Sequence, residues 1–230
     1  MNLLTKLLNT LLFSLILANA AHATSLQALF AGGSITAGNH VFDQWTLIDM
    51  TATDPLYDPD YNLIDVQGLA SASNPGLRFT TQGELSVADE NFIDLYFGFR
   101  VSALTGDGWF KDNELRITDY GLVRTDFVLG DPLIAIVETV SDALGTTLSL
   151  ETVEVGLLAS KLIDSAQFAH QPSLYVTKNI LVAGLAQGDS AILNGFEQHF
   201  SVPEPASVLL LGVGLLGFAA RLRKPALPQA

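Results

Sequence analysis

Two acidic loops carry the side chains whose types and spacing best suit metal chemistry. Residues 54–62 contain four oxygen donors, which are Asp54, Asp58, Asp60 and Asn62. Residues 106–114 contain a similar set, which is Asp107, Asp112, Asn113 and Glu114. Calcium binds six to eight oxygen ligands, so either loop could provide part of a calcium site. Neither spacing matches the EF-hand loop, and a solvated turn is the alternative for both.

Catalytic patterns are the second kind of chemistry to consider, and the sequence favours none. The chain has no G-x-S-x-G, H-E-x-x-H or P-loop pattern. A surface or sheet-edge position is expected for the three histidines after residue 24, which are His40, His170 and His199. A facing pair of carboxylates, as in glycosidases, stays open because acids are abundant, but no pair is marked out by its context. The sequence therefore predicts no catalytic residue.

Four aromatic side chains lie in or beside the same acidic loops, and they allow two interpretations. These side chains are Tyr57, Tyr61, Trp109 and Phe110. Exposed on the loops, they could stack on sugar rings. Turned inward, they would cap a hydrophobic core, and we favour this second interpretation.

The C-terminal residues 202–230 have three parts with distinct physical properties. Val202, Pro203, Glu204 and Pro205 form a short motif in which the prolines fix φ and hold the backbone extended. Residues 208–220 are apolar and uncharged. Three cations then follow, which are Arg221, Arg223 and Lys224. An apolar helix with a basic end predicts a transmembrane helix whose cations stay on the cytoplasmic side.

This arrangement of motif, apolar helix and basic end resembles the PEP-CTERM sorting domain of Gram-negative bacteria that make exopolysaccharide. The resemblance covers residues 202–224. It implies recognition by an exosortase, a membrane-embedded protease-transpeptidase, with cleavage near the motif. It also implies export to the cell surface or the extracellular matrix, in association with exopolysaccharide.

The N-terminal residues 1–23 have the pattern of a secretory signal peptide. Lys6 precedes a leucine-rich run, and Ala21 and Ala23 form an A-x-A cleavage site. We therefore expect the mature chain to begin at Thr24, which agrees with the export that the tail implies.

Charge and cysteine content limit the function classes open to the domain at residues 24–201. Within it, seven Lys and Arg stand against 23 Asp and Glu, a balance of −16. Nucleic-acid binding depends on cations that face phosphates, so this balance argues against it. The chain has no cysteine. The domain must therefore be stable outside the cell without a disulfide or a thiolate metal site.

Hydrophobic alternation indicates that residues 24–201 form one all-β domain. The clearest strand is 92–102, where apolar residues occupy every second position. Other alternating stretches predict further strands at 41–50, 63–69, 77–81, 84–87, 114–123, 133–140, 147–155, 174–182 and 192–200. About ten strands separated by turn signals favour a two-sheet antiparallel β-sandwich of jelly-roll type. Residues 155–168 are the only weak candidate for a helix.

A second resemblance covers the start of this domain. Residues 26–45 include Gly32-Gly33-Ser34-Ile35 and are similar to the opening of many uncharacterised PEP-CTERM ectodomains. The resemblance implies a first pair of strands and no particular chemistry. From these observations we expect an exported, non-enzymatic β-sandwich protein. A carbohydrate-binding or adhesive module is the alternative, and a secreted hydrolase is less favoured.

Overall fold

The computed structural model describes residues 23–54, 57–71, 73–104, 109–124, 132–156 and 159–202. Within these ranges the chain forms strands and one short helix, α1, Leu26–Phe30. The strands are β1 Thr24–Ser25, β2 Ile35–Ala37, β3 His40–Ala52, β4 Asp65–Leu69, β5 Gly76–Thr80, β6 Ser86–Ala88, β7 Phe92–Ala103, β8 Phe110–Val123, β9 Leu133–Ser141, β10 Thr147–Val155, β11 Ser160–Lys161, β12 Ile163–Gln171, β13 Ser173–Ala183 and β14 Ser190–His199.

The strands pair in two antiparallel sheets, which confirms the all-β sandwich. Sheet 1 has the order β1-β4-β5-β14-β8-β12, and β6 also pairs with β14. Sheet 2 has the order β11-β10-β9-β13-β7-β3-β2. The central strands of both sheets therefore come from distant parts of the sequence, and the core depends on long-range pairing.

Strand β7 shows why the sequence forms these sheets. Ile93, Leu95, Phe97, Phe99 and Val101 point inward and are at most 2% exposed. The residues between them lie on the outer side of sheet 2, where Asp94, Tyr96 and Arg100 are half-buried and Gly98 is buried, as the period of two in a strand requires. The hydrophobic alternation in the sequence thus fixes both the strand and the face it buries.

Aromatic rings from both sheets fill the space between them. The ring of Trp45 stacks on that of Phe99 with centroids 4.5 Å apart. In sheet 1, Phe79 and Phe196 stack with centroids 4.3 Å apart. Such pairs add stability beyond the area they bury, and they hold the core without any disulfide.

The backbone conformation of the N-terminal segment requires glycine at positions 32 and 33. Ser25 caps α1 by accepting a hydrogen bond from the backbone of Ala28, at 3.3 Å. Gly32 then adopts a φ of 97°, a conformation that favours glycine. At Gly33 a Cβ atom would lie 2.7 Å from the carbonyl oxygen of Ala28. The chain can therefore turn tightly into the β2–β3 hairpin, which is the strand pair expected for this region.

The predicted helix at 155–168 is wrong. The chain there forms β11 and β12, and β12 pairs with β8 in sheet 1. Alanine and glutamine favour helices, but from Ile163 to Phe168 every second residue of β12 is half-buried, which is the period of a strand. The carboxylate of Asp164 also accepts a hydrogen bond from the backbone of Thr152, at 2.8 Å, and so joins the edges of the two sheets.

Both predicted export segments fall mainly outside the described residues. Residues 1–22, with Ala21, and residues 203–230 are not among them, while Ala23 is described and exposed. Among the helices within the described ranges, none has the length and apolar character to cross a membrane.

The core position of Phe97 gives a test of the fold. Phe97→Asp should unfold the domain, because an unpaired carboxylate in the core costs several kcal/mol against a total stability of about 5–15 kcal/mol. Asp94→Ala, on the outer face of the same strand, removes one hydrogen bond from Asn179 and should cost about 1 kcal/mol. Far-ultraviolet circular dichroism and urea titration measure both, and a folded Phe97→Asp domain would contradict the sandwich core.

Candidate functional site

Five polar side chains occupy the centre of the sandwich, where apolar residues would be expected. We call this set the interior polar cluster; its members are at most 1% exposed and are Asn113, Glu138, Glu151, Lys178 and Gln198. Buried charges are rare unless they are paired and hydrogen-bonded. The cluster is therefore the most unusual chemical environment among the described residues.

Strand register brings the three ionisable members together. Lys178 of β13 pairs directly with Glu138 of β9. Glu138 in turn pairs with Glu151 of β10. All three occupy inward-facing positions of sheet 2, so they form one row across three neighbouring strands. Sheet 1 contributes the two carboxamides, Asn113 from β8 and Gln198 from β14, from the opposite side of the core.

Hydrogen bonds join four members of the cluster into a closed ring. The Lys178 amine donates to one carboxylate oxygen of Glu138 and to the carbonyl oxygen of Gln198. The Asn113 amide donates to the other carboxylate oxygen of Glu138. The Gln198 amide donates to the carbonyl oxygen of Asn113. Each contact except the Lys178–Glu138 and Asn113–Gln198 pairs crosses from one sheet to the other, so the ring connects the sheets.

Burial shifts the pKa of two members of the cluster. Desolvation lowers the pKa of Lys178, while the nearby Glu138 carboxylate opposes that shift. The Lys178 amine also lies 5.6 Å from the centroid of the Phe196 ring. Burial, followed by repulsion from Glu138, raises the pKa of Glu151 to about 7. The Ser149 hydroxyl and the Asn113 amide act in the opposite direction, although neither Glu151 oxygen makes a hydrogen bond of good geometry.

An amine, a carboxylate and two carboxamides in contact can exchange protons and acyl groups among themselves. They cannot act on an external molecule, because at most 1% of each residue is exposed. The arrangement therefore supports structural or intramolecular chemistry, and it is a poor candidate for an enzyme active site.

Sequence reasoning did not find this cluster, although the sequence contains a signal for it. Lys178 interrupts the apolar alternation of 174–182 at a position that faces the core. Glu138 lies between Ile136 and Val140, at a position that the alternation assigns to the core. An ionisable residue at the inward position of three strands indicates partners inside the sandwich.

The acidic loop at 54–62 forms its own hydrogen bonds. The Asp60 carboxylate accepts bonds from the backbone and the side chain of Asn62, both at 2.9 Å. The Glu84 carboxylate accepts a bond from the backbone of Asp60, at 2.8 Å. Asp54 and Asp58 are exposed. These contacts tie Asp60 to its own loop and to Glu84, and the calcium site at this loop stays a prediction.

The second acidic set lies largely in a strand. Asp107 is outside the described residues, and β8 begins at Phe110. Asp112 accepts a bond from the backbone of Ser201, at 2.7 Å. Asn113 points into the core, and Glu114 pairs with Arg116 at 2.8 Å. Because neighbouring residues of a strand point to opposite faces, Asp112, Asn113 and Glu114 do not converge on one point. Within the described ranges, no group of three or more His, Asp or Glu residues is placed to hold a metal ion.

The histidines and loop aromatics occupy separate positions. His40 is 2% exposed, with its ring 5.0 Å from that of Phe110, which corrects the expected surface position. His199 contacts Glu197 at 3.0 Å, and His170 is exposed.

Among the four loop aromatics, Phe110 and Tyr61 are buried. Tyr57 is half-buried, and Trp109 is 44% exposed. The core-capping interpretation therefore holds for most of them. Trp109 is the loop aromatic with the most exposed surface.

The outer face of sheet 2 presents two further aromatic side chains. Tyr96 of β7 lies opposite Asn179 of β13, and Tyr175 lies four residues earlier on β13. The tyrosines are therefore about 14 Å apart along the sheet. Gly98 lies between them along the strand and has no side chain. Arg100 forms two hydrogen bonds to the Asp43 carboxylate, at 2.9 and 2.8 Å. Hydrogen bonding to Asp43 is the main cause of the raised pKa of Arg100. We call this surface the tyrosine face.

The first residues of the sorting motif are part of the described domain. Val202 is 5% exposed, and its backbone donates to the carbonyl oxygen of Ser73 at 3.0 Å. Pro203, Glu204 and Pro205 come next in the sequence, followed by the apolar run and by Arg221, Arg223 and Lys224; all of these lie outside the described residues.

Comparison with known families identifies the tail. Residues 201–224 match the PEP-CTERM protein-sorting motif. This motif is the recognition signal for exosortase processing, and it indicates an exported protein. The match covers the tail alone, so it leaves the function of the sandwich open.

Several solved structures share the β-rich architecture at low similarity. The carbohydrate-binding module TmCBM61, in complex with beta-1,4-galactotriose, is 17% identical, with 67% of this chain and 87% of that one covered and a TM-score of 0.24. The mannan-recognising module TmCBM27 is 8% identical, with 69% and 97% covered and a TM-score of 0.27. A xylan-binding domain from Paenibacillus barcinonensis is 12% identical, with 81% and 99% covered and a TM-score of 0.24. Likeness at this level says nothing about a ligand of this chain.

A search of the curated proteins found no match to the chain.

Glu151 gives a prediction for the pH dependence of stability. Its pKa in the folded state, about 7, is above the ordinary value of 4.5. The contribution of the protonated Glu151 to the free energy of unfolding is therefore fully present below about pH 4.5. It is lost as the pH rises through 7, and the loss is at most about 3 kcal/mol. Glu151→Gln should remove this loss and raise the Tm at about pH 8 by roughly 6–12 °C relative to wild type.

The measurement is thermal unfolding at about pH 5 and about pH 8. Glu154→Gln, an exposed change on the same strand, is the control and should keep the wild-type pH dependence. If the Tm of Glu151→Gln changed between about pH 5 and about pH 8 as much as that of the wild type, Glu151 would not be the carboxyl that ionises inside the core.

Proposed function

We propose that this chain is a non-enzymatic structural protein of the cell surface or extracellular matrix, sorted by an exosortase and associated with exopolysaccharide. The observation that carries the proposal is the sorting motif at residues 201–224. A protein with such a tail is delivered outside the cell, where a stable β-sandwich has a structural use.

The position of the motif on the fold supports processing. The backbone of Val202 is held by the carbonyl oxygen of Ser73, and Pro203 follows it directly in the sequence. Proline cannot continue a sheet ladder, because it lacks the backbone donor. A protease would therefore meet an extended segment at the surface of the sandwich without unfolding the domain.

The membrane step of the proposal rests on the tail sequence. Residues 208–220 would hold the precursor in the inner membrane, with the cations from Arg221 to Lys224 on the cytoplasmic side. This orientation places Glu204 and its neighbouring prolines at the outer interface. An exosortase in the same membrane would reach the motif there.

The interior of the sandwich supports a non-enzymatic role. Hydrolysis of a glycoside needs two carboxylates on either side of an accessible bond. Glu138 and Glu151, which pair directly in sheet 2, are 0% and 1% exposed. These carboxylates are therefore out of reach of a polysaccharide.

The sorting proposal is tested by replacing Pro203, Glu204 and Pro205 with alanine. The helix can then extend upstream and the charged residue of the motif is lost, so the protein should accumulate as a full-length, membrane-bound precursor. Mass spectrometry of the C-terminal peptide in membrane and extracellular fractions, in a host that has an exosortase, measures this.

The matched control replaces Pro225 and Pro228, which lie beyond the basic residues, and should be processed like wild type. A wild-type extracellular form that retains residues 221–230 would contradict the proposal. Normal processing of the alanine variant of the motif would contradict it too.

Carbohydrate binding is the second candidate, and the tyrosine face is the observation that favours it. Tyr175 is 39% exposed and interacts with Arg100, so its ring is held in place on a sheet. At the other end of the face, Asn179 lies opposite Tyr96 and donates to the Asp94 carboxylate at 2.7 Å. Aromatic rings at fixed spacing, with polar groups between them, can stack on sugars and bond their hydroxyl groups.

Tyr175→Ala tests this second candidate. Loss of one stacking ring should weaken binding to an exopolysaccharide by roughly three- to tenfold. Affinity electrophoresis in gels that contain the polysaccharide measures the change. Tyr120→Ala, on β8 of sheet 1 and equally exposed at 39%, is the control and should bind like wild type. Equal retardation of both variants would remove the tyrosine face as a binding site.

A further inference from the structure

The hydrogen-bonded ring in the core places an amine and a carboxamide on opposite sides of two bridging groups. Glu138 contacts both Lys178 and Asn113, through one oxygen each. Gln198 also contacts both, through its carbonyl oxygen and its amide. Only the width of one carboxyl or carboxamide group therefore separates the Lys178 amine from the Asn113 side chain.

We propose that the interior polar cluster is a self-modification site, in which Lys178 forms an intramolecular amide bond with the side chain of Asn113. The bond would join β13 of sheet 2 to β8 of sheet 1 through the centre of the core. It requires no external enzyme, because the four contacts of the ring provide each function that the reaction needs.

The reaction is an acyl transfer in which every atom and proton has a place. The neutral Lys178 amine attacks Cγ of Asn113, and the new Nζ–Cγ bond forms as one amine proton passes to Glu138. Glu138 then returns that proton to Nδ2 of Asn113. The Cγ–Nδ2 bond breaks and ammonia leaves, so Glu138 ends unchanged and no oxidant or reductant takes part.

Each observed hydrogen bond matches one step. Glu138 touches both the attacking nitrogen and the departing nitrogen, which is the geometry of a single proton carrier. The Gln198 amide donates to the Asn113 carbonyl oxygen, where negative charge develops during attack. The Gln198 carbonyl oxygen accepts from the Lys178 amine and orients it. This division of roles is the reason that we assign Asn113, and not Gln198, as the acyl donor.

The surroundings favour the neutral amine that the reaction requires. Lys178 and Glu138 are both 0% exposed, and burial acts against the ammonium form. The Phe196 ring lies 5.6 Å from the amine and helps to keep water from the site. A dry site also protects the product, because hydrolysis of the new bond would need a water molecule in the core.

Peptide mapping tests the proposal directly on the full chain. Trypsin cleaves after Lys and Arg, so an unmodified protein yields the linear peptides 112–116 and 162–178. An amide-linked Lys178 resists cleavage. We therefore expect a branched product in which Asn113 of peptide 112–116 is joined to a peptide that begins at Leu162 and continues past Lys178, lighter than the sum of its parts by one ammonia.

Two variants test the assigned roles. Glu138→Gln removes the proton carrier and should yield the linear peptides, while the exposed change Glu154→Gln should keep the branched product. The wild-type digest decides the proposal by itself, whether or not Glu138→Gln folds. Linear 112–116 and 162–178 peptides from folded wild-type protein would overturn it. A branch at Gln198 or Glu138 in place of Asn113 would overturn the assignment.

Discussion

Burial of Lys178 and Glu138 in the core of the sandwich is the constraint that the rest of the structure must satisfy. Removing two charges from water costs several kcal/mol per ion, and their attraction offsets this cost only when the remaining polar atoms are also bonded. Asn113 and Gln198 supply those bonds from the other sheet. A strand that slipped by one residue would turn an ionisable group outward and leave its partner buried and alone, so the cluster fixes the register of both sheets.

This constraint matters in an exported protein that contains no cysteine. Disulfides are the usual covalent support outside the cell. Here the sheets are joined by the contacts of Phe79 of sheet 1 with Trp45 and Phe97 of sheet 2, by the bond from Thr152 to Asp164 at their edges, and by the polar ring at their centre. The acidic outer surface, which favours solubility, contributes nothing to this connection. The sandwich thus keeps its strongest polar contacts where solvent and salt do not weaken them.

Much of the fold was predictable because strand alternation is a local property of the sequence. The buried face of β7 could be assigned from residues 92–102 alone, while the β2–β3 hairpin was implied by the resemblance of residues 26–45 to other ectodomains. The interior polar cluster was not predictable in the same way, because its members come from five strands and meet only through long-range pairing. The misassigned segment at 155–168 has the same cause: its helix-forming residues are overridden by the pairing of β12 with β8. The sorting signal was recognisable because its chemistry is contiguous in sequence.

A crystal structure of the exported protein would test the central claim, that a closed polar ring joins the two sheets in a dry core. The account predicts continuous contact among Lys178, Glu138, Asn113 and Gln198, with electron density that links Lys178 to Asn113. Water molecules between these side chains, or a Lys178 side chain that extends to solvent, would contradict it.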